Sequence, residues 1–386
     1  MSIEVLYHRP ALAERLSKLI MQVAVGSAAS SGVFLAAPRR TGKSTFARED
    51  LRPALEAAGA IVLYADLWKD LTKDPGLVIV EAVREAVGRS EGFITRLAKA
   101  SGMEKVNVGG LNFSLDRIGL GQDIDLTKAL VALSDESKQI IILMIDEAQH
   151  AITTDEGVAA LFALKAARDE LNSSKHHGLR IVCTGSNRDK LAMLRNSKDQ
   201  AFFGASMVQF PTLDKHFIEW FCENLDLQAQ LDPVEVFQLF QESGFRPELL
   251  GAAADEIRFD LTLDPSDIPA RFAELVRAQA DDLNANLKKV LHSLTPIQSA
   301  VIRVMSAKGE AYAPFEAPTM ALYALAMEKA GMAGADVKVE VPGVQQALIA
   351  LQEKKLVWKA SRGVYAVDEN VIVDLLRDEG LLEGLE

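Results

Sequence analysis

The feature that most constrains this chain is a short apolar run that feeds a loop and then a helix. Val33-Phe-Leu-Ala36 has the length of one strand, Ala37-Pro-Arg-Arg-Thr-Gly42-Lys43-Ser44-Thr45 follows it directly, and residues 43–58 have helical spacing up to Gly59. Ala60-Ile-Val-Leu-Tyr-Ala65 then reads as a second strand. Strand, glycine-containing loop, helix and strand in that order begin a parallel α/β sheet. The loop fits G-x-x-x-x-G-K-[ST] except at its first position, where Ala37 replaces glycine. A polyphosphate needs several backbone N–H groups pointing at it, and Gly42 permits the close backbone approach. The helix that starts at the loop adds the positive end of its dipole. Lys43 has the reach for the β- and γ-phosphates, and the Ser44 hydroxyl can ligate Mg²⁺. Pro38, Arg39, Arg40 and Thr41 complete the loop, with the two arginines adding charge at its rim, and the whole stretch through Thr45 is the candidate nucleotide-binding segment.

A second signal lies about a hundred residues on. Gln139-Ile-Ile-Ile-Leu-Met-Ile145 is the most apolar run in the chain, as suits a central strand buried on both faces, and it ends in Asp146-Glu147. In P-loop enzymes an acidic residue at this point holds Mg²⁺, and an adjacent glutamate can polarise the attacking water. Asp146 is therefore assigned to the metal with Ser44, and Glu147 to the water. The next strand, Leu179-Arg-Ile-Val-Cys183, leads into Thr184-Gly-Ser-Asn187, which offers Ser186 or Asn187 to the γ-phosphate, although ordinary turn roles suit them equally. Gln149 is a candidate γ-phosphate sensor, His150 reads as structural, and Asp66 as a helix cap. Asn187-Arg-Asp-Lys190 has the wrong order for a guanine-reading motif, so GTP specificity is not expected.

Elsewhere the spacing is mostly helical. Residues 10–24 form a helix with Leu12, Leu16, Leu19, Ile20 and Val23 on one face. Helices are expected at 76–100, 125–137 and 156–172, a small β excursion at about 106–117, and a fifth strand at Ser206-Met-Val-Gln-Phe210. From 214 to 292 the pattern is helical only. Helices at 294–306, 318–332 and 342–354, then strand-like pieces at 356–359 and 363–367, suggest a winged helix-turn-helix. The domain expectation is an α/β core over 1–212, a helical lid over 213–292 and a winged helix over 293–386.

Composition excludes some classes. With 42 Lys plus Arg against 54 Asp plus Glu, the net charge of −12 argues against a generally cationic nucleic-acid binder. Two cysteines are too few for a disulfide framework and fit a reducing compartment. Leu19 to Pro38 is uncharged, but Ser27-Ala-Ala-Ser-Ser-Gly32 interrupts it, so it reads as helix end, turn and buried strand rather than a membrane span. The N-terminus lacks the basic and apolar regions of a signal peptide, and a cytoplasmic, membrane-free protein is expected.

These residues carry a resemblance. Ala37-Pro-Arg-Arg-Thr-Gly-Lys-Ser44 resembles the Gly-Pro-Arg-Arg-x-Gly-Lys-[ST] loop of the archaeal-type ATPases, relatives of the AAA+ and STAND NTPases. Ile145-Asp-Glu-Ala-Gln149 looks like their Walker B segment. Leu6-Tyr-His-Arg-Pro10 stands where the family places its Phe-x-Gly-Arg-Glu segment beside the adenine, and Arg9 is the residue that matches. Ser243-Gly-Phe-Arg-Pro-Glu-Leu-Leu250 is similar to the lid segment that carries a nucleotide-sensing residue, with Arg246 as the candidate. The resemblance covers about residues 5–255, and the C-terminal unit is similar to the winged helix that follows this module in the family and in replication initiators of the origin-recognition type. It implies a P-loop NTPase that binds ATP and Mg²⁺ and hydrolyses ATP as a nucleotide-driven switch. Ala37 departs from the family, and Ala205 stands where relatives often place an arginine that reaches a neighbour's nucleotide, with Arg195 the nearest upstream alternative.

Two other classes stay open: a DNA-binding ATP-dependent regulator or initiator, and a nucleotide-binding signalling scaffold with little turnover. The C-terminal unit, residues 293–386, holds 9 Lys plus Arg against 13 Asp plus Glu, a net of −4. Lys354, Lys355, Lys359 and Arg362 cluster near its wing. The partner there is double-stranded DNA or a protein, and self-association does not follow from the residues.

Overall fold

The computed structural model describes residues 6–22, 28–37, 40–89, 118–119, 124–173, 175–196, 200–331, 339–361 and 363–385. The small β excursion expected at 106–117 lies outside the described residues, as do Pro38, Arg39, Val23 and Arg362. The chain divides into two compact units. One holds Arg9–Ala36 and Ser44–Phe210; the other holds Met1–His8, Ala37–Lys43 and Pro211–Glu386.

The first unit is built on a five-stranded parallel sheet. Its strands are β1 (Val33–Ala36), β2 (Ile61–Asp66), β3 (Ile141–Asp146), β4 (Leu179–Gly185) and β5 (Ser206–Gln209), in the order β2-β3-β4-β1-β5. Every pairing is parallel, with Asp66 opposite Asp146, Ile145 opposite Cys183 and Ala36 opposite Gly185. The carboxyl ends of β1 to β4 therefore share one sheet edge, the edge at which open α/β sheets bind ligands. All six residues of β3 are buried, as its unbroken apolar run demands. β4 continues two residues past the expected end at Cys183, which brings Thr184 and Gly185 into the sheet.

Helices cover the sheet and start where the local chemistry directs. Helix α1 (Pro10–Met21) buries Ala13, Leu16, Ser17 and Ile20, whereas Leu19, expected on the buried face, is exposed. The helical stretch after the loop is α2 (Lys43–Phe46), a π turn (Ala47–Leu51) and α3 (Arg52–Ala57), not one uniform helix. Helix α4 (Pro75–Gly88) has Pro75 in its first turn, and its N-cap Asp74 accepts from the Gly76 N–H. The N-terminal end of α4 passes so close to the carbonyl of Glu156 that a Cβ at Gly76 would lie 2.5 Å from that oxygen, so only glycine fits. Helix α5 (Leu126–Ser137) is capped by Asp125, and α6 (Asp155–Leu171) by Thr154. A short helix, α7 (Arg188–Ala192), is additional to the sequence expectation and begins at the N-cap Asn187. The inner faces of α4 to α6, with Val83, Leu130 and Leu164 among them, share one core cluster with β3, where Leu143 is fully buried. Each such side chain contributes about 1.5–3 kcal/mol of transfer free energy.

The second unit contains two apolar clusters. Around Phe217, Phe240 and Phe272 pack α8 (Lys215–Asn224), α9 (Pro233–Glu242), α10 (Pro247–Phe259) and the start of α11 (Ile268–His292). Tyr7 joins them, 5.4 Å from both the Phe217 and Trp220 rings. The other cluster contains α12 (Pro296–Lys308), α13 (Ala317–Lys329), α14 (Val341–Glu353), the antiparallel hairpin β6 (Val357–Ser361) and β7 (Val364–Val367), and α15 (Asn370–Asp378). Three helices followed by a hairpin are the arrangement of a winged helix. α15 is an addition to the sequence reading, and β6 runs to Ser361, two residues past the expected end at 359. Arg303, only 4% exposed, donates to the carbonyls of Leu381 (3.0 Å) and Ala326 (3.3 Å) and ties the last turn of the chain to α12 and α13. Among the described residues no helix is long and apolar enough to cross a membrane.

Candidate functional site

Arg40 has φ 62° and Gly42 φ 77°, so two left-handed positions flank Thr41. Backbone of this kind turns successive N–H groups toward a common centre, which is how such loops bind anions. Gly42 has open space where a Cβ would be, so its requirement is the left-handed conformation rather than room. Ala37 is buried and is not at positive φ, which explains why alanine is tolerated where the motif has glycine. Thr41 and Lys43 are buried, while the Arg40 guanidinium is exposed and lies 4.0 Å from the Glu248 carboxylate. Glu248 is in the first turn of α10, and Arg246 is that helix's N-cap residue with extended backbone. The lid segment expected to carry a sensing residue thus meets the loop through Arg40 and Glu248.

The acidic strand end lies in the sheet-containing unit. Asp146 is 2% exposed at the end of β3. Its Oδ2 accepts from the Tyr64 hydroxyl at 2.7 Å, and its Oδ1 accepts from the Thr184 hydroxyl and from the Glu147 N–H at 3.1 Å. Glu147 has φ 51°, an uncommon conformation for a non-glycine residue and one that clusters at functional sites. Its Oε2 accepts from Gln149 Nε2 at 2.6 Å and from Ser186 Oγ at 2.8 Å. Gln149 is 1% exposed, and its Oε1 has no hydrogen-bond partner among the described residues.

Electrostatics follow from this burial. The Tyr64 phenol is pushed far above its ordinary value, first by desolvation and then by the Asp146 charge and hydrogen bond, so it is a neutral donor at any physiological pH. Burial also raises the Cys183 thiol on β4. For a divalent cation the donor chemistry fits: a carboxylate at Asp146 and a hydroxyl at Ser44 are hard oxygen donors. No group of three or more His, Cys, Asp or Glu among the described residues makes an all-protein metal cage. Mg²⁺ is ordinarily held by one or two protein oxygens together with phosphate oxygens, and Asp146 and Ser44 are protein oxygens of that kind.

The remaining candidates fall in different places. Arg9 has its guanidinium 5.0 Å from the Phe210 ring centroid, and its backbone N–H donates to Asp50. Asn187 accepts from the Lys190 N–H at 3.0 Å and so serves as the cap of α7. Asp66 accepts from the Trp68 N–H, a turn role, and His150 packs on Trp68 with ring centroids 4.6 Å apart. Ala205 is fully buried. Tyr64 and Thr184 escaped the sequence reading. The available signal was their position at the ends of the strands on either side of the acidic one.

No family model matches the sequence, and no curated protein matches it. Among solved structures the chain is similar to the Walker-type ATPase of Pyrococcus abyssi, with a TM-score of 0.50, 16% identity, and 96% of this chain and 95% of that one covered. It is also similar to the ORC2 protein of Aeropyrum pernix in its ADP form, with a TM-score of 0.52, 14% identity, and 99% and 95% covered. The fold is that of the archaeal Walker-type P-loop ATPases. Both likenesses extend over nearly the whole chain, the lid and the C-terminal winged helix included.

Proposed function

We propose that this chain is a Mg²⁺-dependent AAA+/STAND-like ATPase that uses ATP binding and hydrolysis as a switch. The observation that carries the reading is the strained Glu147, beside the buried Asp146 at the carboxyl edge of the sheet, in a chain that also has the Gly42-Lys43-Ser44 loop. The reading takes 1–212 as the catalytic core, 213–292 as the lid and 293–386 as the winged helix. The Aeropyrum pernix neighbour is an ADP form, which supports nucleotide as the ligand.

In this mechanism the loop N–H groups and Lys43 bind the phosphate chain and offset the charge that develops on the γ-phosphoryl oxygens. Ser44 and Asp146 would hold Mg²⁺, which supplies Lewis-acid stabilisation when bound. Glu147 orients the attacking water in line with the scissile bond and takes its proton at a carboxylate oxygen. Ser186 and Gln149 fix that carboxylate. Arg9 is assigned to the adenine side and Arg246 to sensing the nucleotide from the lid.

A second reading, DNA binding through the winged helix, is supported by exposed Lys354, Lys355 and Lys359. The outer face of α14 opposes it. That face carries Val341, Gln345, Gln346, Glu353 and a 56% exposed Ile349, and no cation before Lys354. A phosphate-tracking helix is normally basic, so a protein partner suits this face better.

The test is ATP binding and single-turnover hydrolysis by wild type, Lys43→Ala and Glu147→Gln, each with and without duplex DNA. Wild type is expected to bind and hydrolyse, Lys43→Ala to lose binding, and Glu147→Gln to bind with hydrolysis slowed about 10²–10⁴-fold. Stimulation by DNA favours the regulator reading, and tight nucleotide retention without turnover the scaffold. Absence of ATP binding by wild type refutes the proposal.

A further inference from the structure

We propose that Tyr64 is a positioning residue which, with Thr184, forms a two-hydroxyl clamp on Asp146 and sets the affinity of the site for the divalent cation that accompanies the nucleotide. This rests on the ATPase reading above. β2 and β4 flank β3, and the register places Asp66 opposite Asp146. Tyr64, two residues earlier on β2, shares the sheet face of Asp66, and its side chain runs along that face to Asp146 Oδ2 at 2.7 Å. From the other flank, Thr184 follows Cys183, which is opposite Ile145, and donates to Oδ1. The Glu147 N–H also reaches Oδ1, at 3.1 Å.

A carboxylate has about four lone-pair positions. Donors from three different points on the sheet edge reach it here, which restricts how far the group can swing. Both side-chain donors are neutral. They orient the carboxylate without the electrostatic competition that a lysine or arginine in the same place would offer a cation. Partners of this kind, one bond removed from the metal, typically change metal affinity about 10–100-fold when removed. Thr184 adds a second hold from the opposite flank, so removal of one hydroxyl leaves the carboxylate less tightly oriented.

The experiment uses the full chain and a fluorescent ATP analogue, with nucleotide binding titrated against Mg²⁺ and repeated in EDTA. The variants are Tyr64→Phe, Thr184→Val and Thr184→Ser, each with a thermal melt. Tyr64→Phe and Thr184→Val are expected to raise the Mg²⁺ midpoint about tenfold and leave binding in EDTA within about twofold, while Thr184→Ser behaves as wild type. A Tyr64→Phe melt that shifts while the Mg²⁺ midpoint stays put makes the phenol merely structural and overturns the proposal. A midpoint that falls shows that the phenol competes with the cation, and also overturns it. If Tyr64→Phe does not fold, the contrast between Thr184→Val and Thr184→Ser decides. Wild type that binds no nucleotide at any Mg²⁺ concentration instead removes the ATPase reading, a distinct failure.

Discussion

Gly185→Ala places a methyl group against Gln149 and Leu191. Gly185 ends β4 in ordinary backbone, so a methyl group there meets no conformational strain. It meets neighbours instead. The new Cβ would lie 2.7 Å from Gln149 Oε1, 3.0 Å from Leu191 Cδ1 and 3.3 Å from Leu191 Cβ. Ordinary contact begins at 3.4 Å, so the Gln149 amide must retreat by about 0.7 Å, the difference between 3.4 and 2.7. Gln149 and Leu191 are both buried. Overpacking of this kind costs about 1–3 kcal/mol.

The same retreat acts on the site. Gln149 Nε2 donates to Glu147 Oε2 at 2.6 Å, and a displacement of this size stretches the pair to about 3.3 Å at most, which weakens that bond and leaves Ser186, at 2.8 Å, as the firmer hold on the carboxylate. On the ATPase reading proposed above, loosening of the Glu147 carboxylate is expected to slow hydrolysis by up to about 100-fold with ATP affinity unchanged. The assay pairs single-turnover kinetics with denaturant melts of Gly185→Ala, Gln149→Ala and the double variant. Removing the Gln149 side chain removes the clash. The double variant is therefore expected to be more stable than the sum of the single losses by about 1 kcal/mol or more, and to remain slow. Additive stability losses, or a Gly185→Ala enzyme with wild-type hydrolysis, would refute the argument.

A half-buried thiol and a buried guanidinium away from the site give further outcomes. The Cys222 thiol is pushed up to about 11 by burial and by Asp232 and Glu223. Its thiol form therefore supports the fold fully below the ordinary value of 9.0, and that support is lost as pH rises from there through about 11. Alkylation at pH 8 should be slow at Cys222 and should reach Cys183 only on unfolding, as followed by mass spectrometry. Arg303→Ala leaves the carbonyls of Leu381 and Ala326 without their donor. A loss of about 2–4 kcal/mol is expected, with residues 379–385 cut early in limited proteolysis while the sheet-containing unit persists.

Much of the candidate site could be read from the residues because its pieces are local. The loop motif lies between a strand and a helix that are next to it in the chain, and Asp146-Glu147 directly follows the apolar run that becomes β3. What was missed is non-local. Tyr64 is 82 residues from Asp146, and Thr184 is 38, so no spacing rule within one element links them. Ser186 and Asn187 looked equivalent as strand-end polar groups. The fold separates them: Ser186 donates to Glu147, and Asn187 caps α7. Leu19 shows the same limit, since helical spacing places it on an apolar stripe but not against a neighbour.

The residues alone determined that this chain begins a parallel α/β sheet, carries a phosphate-type loop, and ends its most apolar strand in two carboxylates. Each of those properties arises from backbone and side-chain preferences within a few residues. The tertiary structure decided the order β2-β3-β4-β1-β5, and with it which side chains flank Asp146 and which hold Glu147. Strand order is set by how helices and strands far apart in the chain pack to bury their apolar faces together, and no single segment contains that information.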